Sequence, residues 1–252
     1  MIRLKIEKYK KNRNGKYSIF LSDGREFVLY EEVILKCNLL LKKEINNTDI
    51  DNINKLNNEY EVYYAGLKLI SNRSRSVYEL KKKLREKEYS YELIENTVEK
   101  LLKQGYLNDE LYARSYINTQ IFTTTNGPIK IRRDLENNRI DSSIIDKEIE
   151  LFDIDTQKEK VDKLISKWIK SNHNKGGLVL KQKIIDNLKN KGYSYDIIST
   201  VIDNYTFSND TKLAKKEYDK LYRKYSKKYS GYELDKIIKE RLYLKGLIYE
   251  KE

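Results

Sequence analysis

Apolar positions change their spacing once along the chain, and the change divides it. Over residues 2–30 they alternate: Ile2, Leu4 and Ile6 share one face, Tyr17, Ile19 and Leu21 another, Phe27 and Leu29 a third. Asn14-Gly15 and Asp23-Gly24 fall between these runs, and such pairs supply the positive φ of tight hairpins. The pattern predicts a three-stranded antiparallel sheet, followed by a short helix over Glu31–Cys37. So small a sheet needs a further element to pack on. From Thr48 or Asp49, either able to cap a helix, apolar residues recur at three- and four-residue steps (Ile50, Ile53, Leu56, Tyr60, Tyr63, Tyr64, Leu67, Ile70), which predicts a long helix to about Ser71.

Beyond it the helical pattern repeats. Aligned on Leu84, Leu135, Leu188 and Leu242, the copies lie 51, 53 and 54 residues apart. Five residues on stand Tyr89, Ile140, Tyr193 and Leu247; ten on, Ile94, Ile145 and Ile198; fourteen on, Val98, Ile149 and Ile202. Self-similarity at this period marks an array in which each unit buries its apolar face partly on its neighbours. Each unit reads as three helices. In the first these are Tyr63–Asn72, Ser76–Lys87 and Ser90–Gln104, with Ser76 and Glu79 in capping-box spacing and Gly105 at the end. Pro128, the single proline, suits the first turn of the helix 128–138. Gly176-Gly177 breaks the third unit before a helix over Val179–Asn190, and Gly192 stands at a helix end. The fold expected is mainly α, with tandem three-helix, helix-turn-helix-like repeats and a small N-terminal antiparallel β element. The divisions are 1–47 for the β-rich extension, 48–107 for the linking helix and repeat 1, 108–154 for repeat 2, 155–208 for repeat 3 and 209–252 for an incomplete repeat 4.

Composition narrows the chemistry. A single histidine, His173, in a Gly/Asn-rich loop, leaves little room for a His-based metal site or acid–base dyad. A single cysteine, Cys37, rules out an internal disulfide, fits a reducing compartment and reads as a small buried side chain. Lys175-Gly176-Gly177 lacks the spacing of a phosphate-cradling loop. No apolar run reaches the ~20 residues of a membrane helix. We therefore expect a soluble, cytoplasmic protein that is not an enzyme, with no cofactor, metal or small-molecule substrate. The net charge of +12 favours nucleic acid or an acidic partner, although abundant Asn, Ile, Tyr and Lys also fits A/T-rich coding.

Three stretches carry a family resemblance. Ser71–Leu84 (SNRSRSVYELKKKL), Gly105–Ala113 (GYLNDELYA) and Gly127–Leu135 (GPIKIRRDL) resemble RecX, the regulatory protein that acts on the bacterial recombinase RecA. The segment YSIFLSDGREFVLYEE is similar to the N-terminal extension of Gram-positive members. Two features depart from the family pattern: Ser74 replaces a proline frequent between the two arginines, and Glu88 and Arg139 stand where glycine is frequent. The resemblance implies an elongated helical array that lies in the groove of the RecA–single-stranded DNA filament and inhibits its ATPase and strand exchange. It also implies a part in DNA repair and recombination and in the SOS response.

Basic residues recur on the second helix of each repeat. They are Arg73, Arg75, Lys81, Lys82, Lys83 and Arg85 in the first; Lys130, Arg132, Arg133 and Arg139 in the second; and Lys181, Lys183, Lys189 and Lys191 in the third. Such a series suits phosphates or an acidic groove, or is a solvated face of a lysine-rich chain; the resemblance favours contact. Expected partners are the RecA filament and, through phosphates, single-stranded and secondarily double-stranded DNA. The tyrosine series 218, 222, 225 and 229 has core spacing. Two rival readings remain: a sequence-tolerant DNA-binding repeat protein, and an adaptor for another protein.

Overall fold

The structure is a computed structural model that describes residues 3–172, 176–207 and 211–249; His173 and Asn209 lie outside the described residues. Contacts gather into two units, Met1–Tyr112 with the turn Asn138–Ile140, and Ala113–Asn137 with Asp141–Glu252.

The first unit begins with β1 (Leu4–Lys11), β2 (Tyr17–Leu21) and β3 (Glu26–Leu29), then α1 (Glu31–Lys36) and β4 (Glu44–Ile45). The sheet has four strands in the order β3-β2-β1-β4, one more than expected. The extra strand pairs Ile45 with Leu4 and Glu44 with Lys5, and two residues are too few to show alternation. Leu4, Ile19, Leu21 and Leu29 turn inward with Val33 and Ile34 of α1. They meet Ile50 and Ile53 of α2 (Asn47–Asn72), the long helix the sheet needed. Asn46 caps α2, not Thr48 or Asp49: its side chain accepts from Asp49 N–H at 2.9 Å while Asp49 accepts from Asn46 N–H at 3.0 Å. Cys37 is buried in this core, and burial pushes its thiol pKa up.

The end of α2, α3 (Val77–Arg85) and α4 (Tyr91–Lys103) make the first three-helix repeat. Its core holds Val62, Leu80, Leu84, Ile94, Val98 and Leu101. Each fully buried leucine contributes about 1.5–3 kcal/mol. Ser76 and Ser90 cap α3 and α4. Only half of the expected capping box forms, because the Glu79 carboxylate turns to Arg73.

α5 (Asp109–Thr123) crosses from the first unit into the second, which continues with α6 (Pro128–Asn137) and α7 (Ser142–Ile149). The third triplet is α8 (Ile154–Ser171), α9 (Gly177–Asn190) and α10 (Tyr195–Ile202), and α11 (Thr211–Tyr225) and α12 (Gly231–Tyr243) follow. α9 starts earlier than the Gly-Gly pair suggested, with Gly177 inside its first turn. The leucines of the sequence alignment are its centre: Leu135 and Leu188 are 0% exposed and Leu242 2%. Tyr218 is buried and Tyr225 and Tyr229 pack beside it, but Tyr222 is exposed.

The residue four past each of the aligned leucines is left-handed: Glu88 (φ 64°), Arg139 (56°), Gly192 (89°) and Gly246 (67°). In the second unit this turn receives the start of the preceding repeat's second helix. Gly127 N–H donates to Lys191 C=O at 2.7 Å, Ile129 N–H to Gly192 C=O at 3.0 Å and Gly176 N–H to Lys245 C=O at 2.6 Å. Pro128, which has no N–H, sits between the two donors of the first junction. The backbones approach so closely that a Cβ on Gly192 would stand 2.4 Å from Lys130 N. In the first unit Ser76 Oγ donates to Asn138 C=O at 3.2 Å, a looser side-chain version of the same contact.

Candidate anion-binding interface

The second helices of the first two repeats, α3 and α6, each turn two apolar residues inward, while α9 turns three, and their cations lie on the other faces. On α3, Leu80 and Leu84 are 0% exposed, as are Ile131 and Leu135 on α6. The intervening basic residues divide into those held by carboxylates and those left free.

In the first unit Arg73 donates to both carboxylate oxygens of Glu79, at 2.8 and 3.2 Å. Burial alone would lift the Glu79 pKa, but the Arg73 hydrogen bonds outweigh it and hold the carboxyl below its ordinary range. Arg75 Nε is turned inward onto Leu69 C=O at 2.9 Å. Lys81 bridges to Glu95 of α4 at 2.6 Å and Lys83 to Glu86 at 2.5 Å. In the second unit Arg132 bridges to Asp146 at 2.5 Å and Lys181 to Asp203 at 3.0 Å. Lys189 lies 5.0 Å over the Tyr195 ring. Lys191 donates to Thr125 Oγ1 at 2.6 Å, in the junction where Gly192 meets the Lys130 backbone. The pairs Lys81–Glu95 and Arg132–Asp146 occupy equivalent positions, fourteen residues apart in each repeat. That spacing was visible in the sequence and marks these cations as struts between second and third helices.

Lys82, Arg85, Lys130, Arg133, Arg139 and Lys183 are exposed and make no ion pair or side-chain hydrogen bond among the described residues. The first unit presents Lys82, Arg85 and Arg139; the second presents Lys130, Arg133 and Lys183. Charged groups that are exposed and unpaired keep their full attraction for an external anion. Among the described residues no group of three or more His, Cys, Asp or Glu side chains is placed to hold a metal ion. No helix among them is long and apolar enough to cross a membrane.

Beyond the helix-ending Gly105 that the sequence placed, the Gly105–Ala113 motif has a structural role that the sequence did not disclose. Gly105 is left-handed, Leu107 is buried, and Asn108 Oδ1 accepts from Glu110 and Leu111 N–H at the start of α5. Asp109 reaches back to accept from Val77 N–H at 2.8 Å, capping α3 from another helix. Burial pushes its pKa up against that hydrogen bond.

Comparison with known proteins fits these stretches. The family description "RecX, first three-helix domain" matches residues 63–101, and "RecX, second three-helix domain" matches residues 108–148. The "Regulatory protein RecX" of Staphylococcus saprophyticus is 31% identical over 252 residues, covering 98% of this chain and 92% of its relative. This chain belongs to the RecX family. The RecX protein of Bacillus subtilis is 31% identical over 96% of this chain and 92% of its own, and that of Oceanobacillus iheyensis 29% identical over 98% and 93%. A crystal structure of regulatory protein RecX superposes with a TM-score of 0.70 at 30% identity, covering 79% of this chain and 99% of the other. The RecX structure from Lactobacillus salivarius gives 0.56 at 31% identity, covering 58% and 96%. The match to the first three-helix domain spans the end of α2, α3 and α4, and that to the second spans α5, α6 and most of α7. Both RecX domains therefore contain a free cation group, Lys82 with Arg85 and Lys130 with Arg133.

Proposed function

We propose that this RecX-family chain binds the RecA–single-stranded DNA filament along its groove and inhibits its ATPase and strand-exchange activities. It acts in the cytoplasm as a non-catalytic regulator of recombination and repair. Residues 48–107, 108–154, 155–208 and 209–252 serve as successive repeats and 1–47 as an extension. The observation that carries the reading is the match, over more than nine-tenths of their length, to relatives named as regulatory proteins. The free cations of α3 and α6 support it, since they are available to an acidic groove or to phosphates.

The test is the single-strand-dependent ATPase of the cognate RecA, titrated with this protein at physiological salt beside its binding to bare DNA. Inhibition well below the concentration that coats bare DNA is expected. No inhibition, or inhibition only once free DNA is saturated, refutes a filament-directed regulator. Lys82→Glu/Arg85→Glu/Arg133→Glu is the informative variant. None of these residues sits in an internal ion pair, so stability should change by no more than about 0.5 kcal/mol per site. It should inhibit at least tenfold less effectively; wild-type inhibition would remove these cations from the interface.

A further inference from the structure

The two edges of the N-terminal sheet are finished differently. The outer edge of β3 is covered by Asn57 of α2, whose side-chain amide copies a neighbouring strand: Nδ2 donates to Val28 C=O at 3.3 Å and Oδ1 accepts from Tyr30 N–H at 3.1 Å. The opposite edge belongs to β1. There β4 pairs only with Leu4 and Lys5, and Lys43 C=O accepts from Ile6 N–H at 2.9 Å. Beyond Ile6 that edge of β1 has no neighbouring strand among the described residues. Asn12 N–H bonds Lys16 C=O at 2.8 Å on the β2 side. The alternation of an antiparallel ladder then turns the backbone groups of Lys8 and Lys10 to β2 and those of Tyr9 and Lys11 outward.

Side chains specify what can pair there. Tyr9 packs against the core, and its hydroxyl donates to Leu39 C=O at 2.5 Å, so the turn after α1 runs beside the open edge on that face. Leu40 and Leu41 of that turn are 58% and 84% exposed. The other face carries Lys5, Lys8 and Lys10, all exposed and without an ion pair among the described residues. Lysines on a free edge guard against pairing with an identical edge, because the two repel. That argues against a second copy as occupant and favours a strand of opposite charge. A strand with acidic groups on one face and apolar groups on the other matches both the lysines and the leucines. Neither a nucleic acid nor a lipid surface offers a ladder of N–H and C=O groups to Tyr9 and Lys11.

We propose that the free edge of β1 takes up an extended segment of a partner protein, alternating acidic and apolar residues, as an added strand beyond Ile6. Its test needs no recombinase, so it stands or falls apart from the function proposed above. The probe is an end-capped, fluorescein-labelled peptide of four Glu-Val repeats, titrated with the full chain by fluorescence anisotropy, with amide hydrogen exchange of the complex followed by NMR. The peptide should bind, and the Tyr9 and Lys11 amides should exchange about tenfold more slowly in the complex. Lys8→Glu/Lys10→Glu should weaken binding about tenfold, as should N-methylation of every peptide amide, which keeps the charge and removes the ladder. Circular dichroism checks folding; if the reversal variant unfolds, Lys8→Gln/Lys10→Gln should still weaken binding about threefold. Absence of binding, or a complex in which the Tyr9 and Lys11 amides stay unprotected, overturns the proposal. So does full affinity for the N-methylated peptide, which would leave charge attraction alone, or full affinity in a folded lysine variant. Tighter binding to oligothymidylate or to phosphatidylserine vesicles than to the peptide, or protection of the two amides by raised protein concentration alone, would assign the edge to nucleic acid, lipid or a second copy instead.

Discussion

Replacing Gly192 by alanine tests the backbone junction between the second and third repeats. An alanine at φ 89° carries about 1–2 kcal/mol of left-handed strain. Its Cβ would stand 2.4 Å from Lys130 N and 2.7 Å from Lys130 Cβ, so the two segments must separate. Separation breaks the hydrogen bonds from Gly127 N–H and Ile129 N–H, each contributing about 1 kcal/mol. The expected loss is about 3–4 kcal/mol, a large part of the roughly 5–15 kcal/mol that holds an ordinary domain together. Urea unfolding followed by tryptophan fluorescence is the assay, because the single tryptophan, Trp168, lies on α8 in the same unit. With m of about 2–3 kcal/mol/M the midpoint should fall by about 1–2 M. Glu88→Gly is the counterpart. Glu88 holds the same left-handed position at φ 64°, so relieving it should stabilise the first unit by about 0.5 kcal/mol after allowance for the freer unfolded chain. A Gly192→Ala midpoint within 0.2 M of wild type, roughly 0.5 kcal/mol, would refute the close approach.

Tyr193 is 1% exposed, and burial pushes its pKa up to about 12; its hydroxyl has no hydrogen-bond partner among the described residues. Equivalent positions hold Ile140 and Leu247, so Tyr193→Phe should raise stability by about 1 kcal/mol; a lower urea midpoint would mean the hydroxyl is satisfied. The depressed pKa of Glu79 makes its pairing with Arg73 stabilising above the ordinary glutamate value of 4.5, and that contribution is lost as pH falls through the folded value. In Arg73→Gln the Glu79 carboxyl should titrate higher than in the wild type, followed by carboxyl carbon NMR; an unchanged titration would show that Arg73 does not set it.

The core was readable because each repeat reuses the same positions. Ile94, Ile145 and Ile198 follow the aligned leucines by ten residues and all are 0% exposed. The family resemblance rested on motifs whose local geometry could also be read in part: Gly105 is left-handed and Ser76 is a cap. What escaped depended on partners distant in sequence. β4 exists only because Glu44 and Ile45 meet β1, and Asn46 displaces Thr48 as the cap because Asp49 reciprocates. The basic residues looked alike in one dimension, yet Glu95, Asp146 and Asp203 occupy Lys81, Arg132 and Lys181 and leave Lys82 and Arg133 free. The face of α11 was recognisable as a basic helix, but its shortage of counter-charge became plain only once Glu217 was seen to be buried with Lys245.

The junctions explain how repeats within the second unit can share a fold while carrying different charge. The contacts of Gly127 with Lys191 and of Gly176 with Lys245 run through backbone N–H and C=O groups, which every sequence provides. Side-chain demands are confined to glycines that allow close approach and to the leucine and isoleucine positions that fill each core. Everything on the outer faces is released from the task of joining one repeat to the next. α8 can therefore set three acids beside its five lysines, with Lys163 bridged to Glu159, while α11 sets two beside six cations, without altering the junction chemistry. In the first unit the contact from Ser76 to Asn138 depends on a side-chain hydroxyl, so the backbone there is under a weaker steric demand and tolerates Arg139 in the left-handed position. That residue's exposed guanidinium then joins Lys82 and Arg85 among the free cations of the first unit, a position that glycine would leave uncharged.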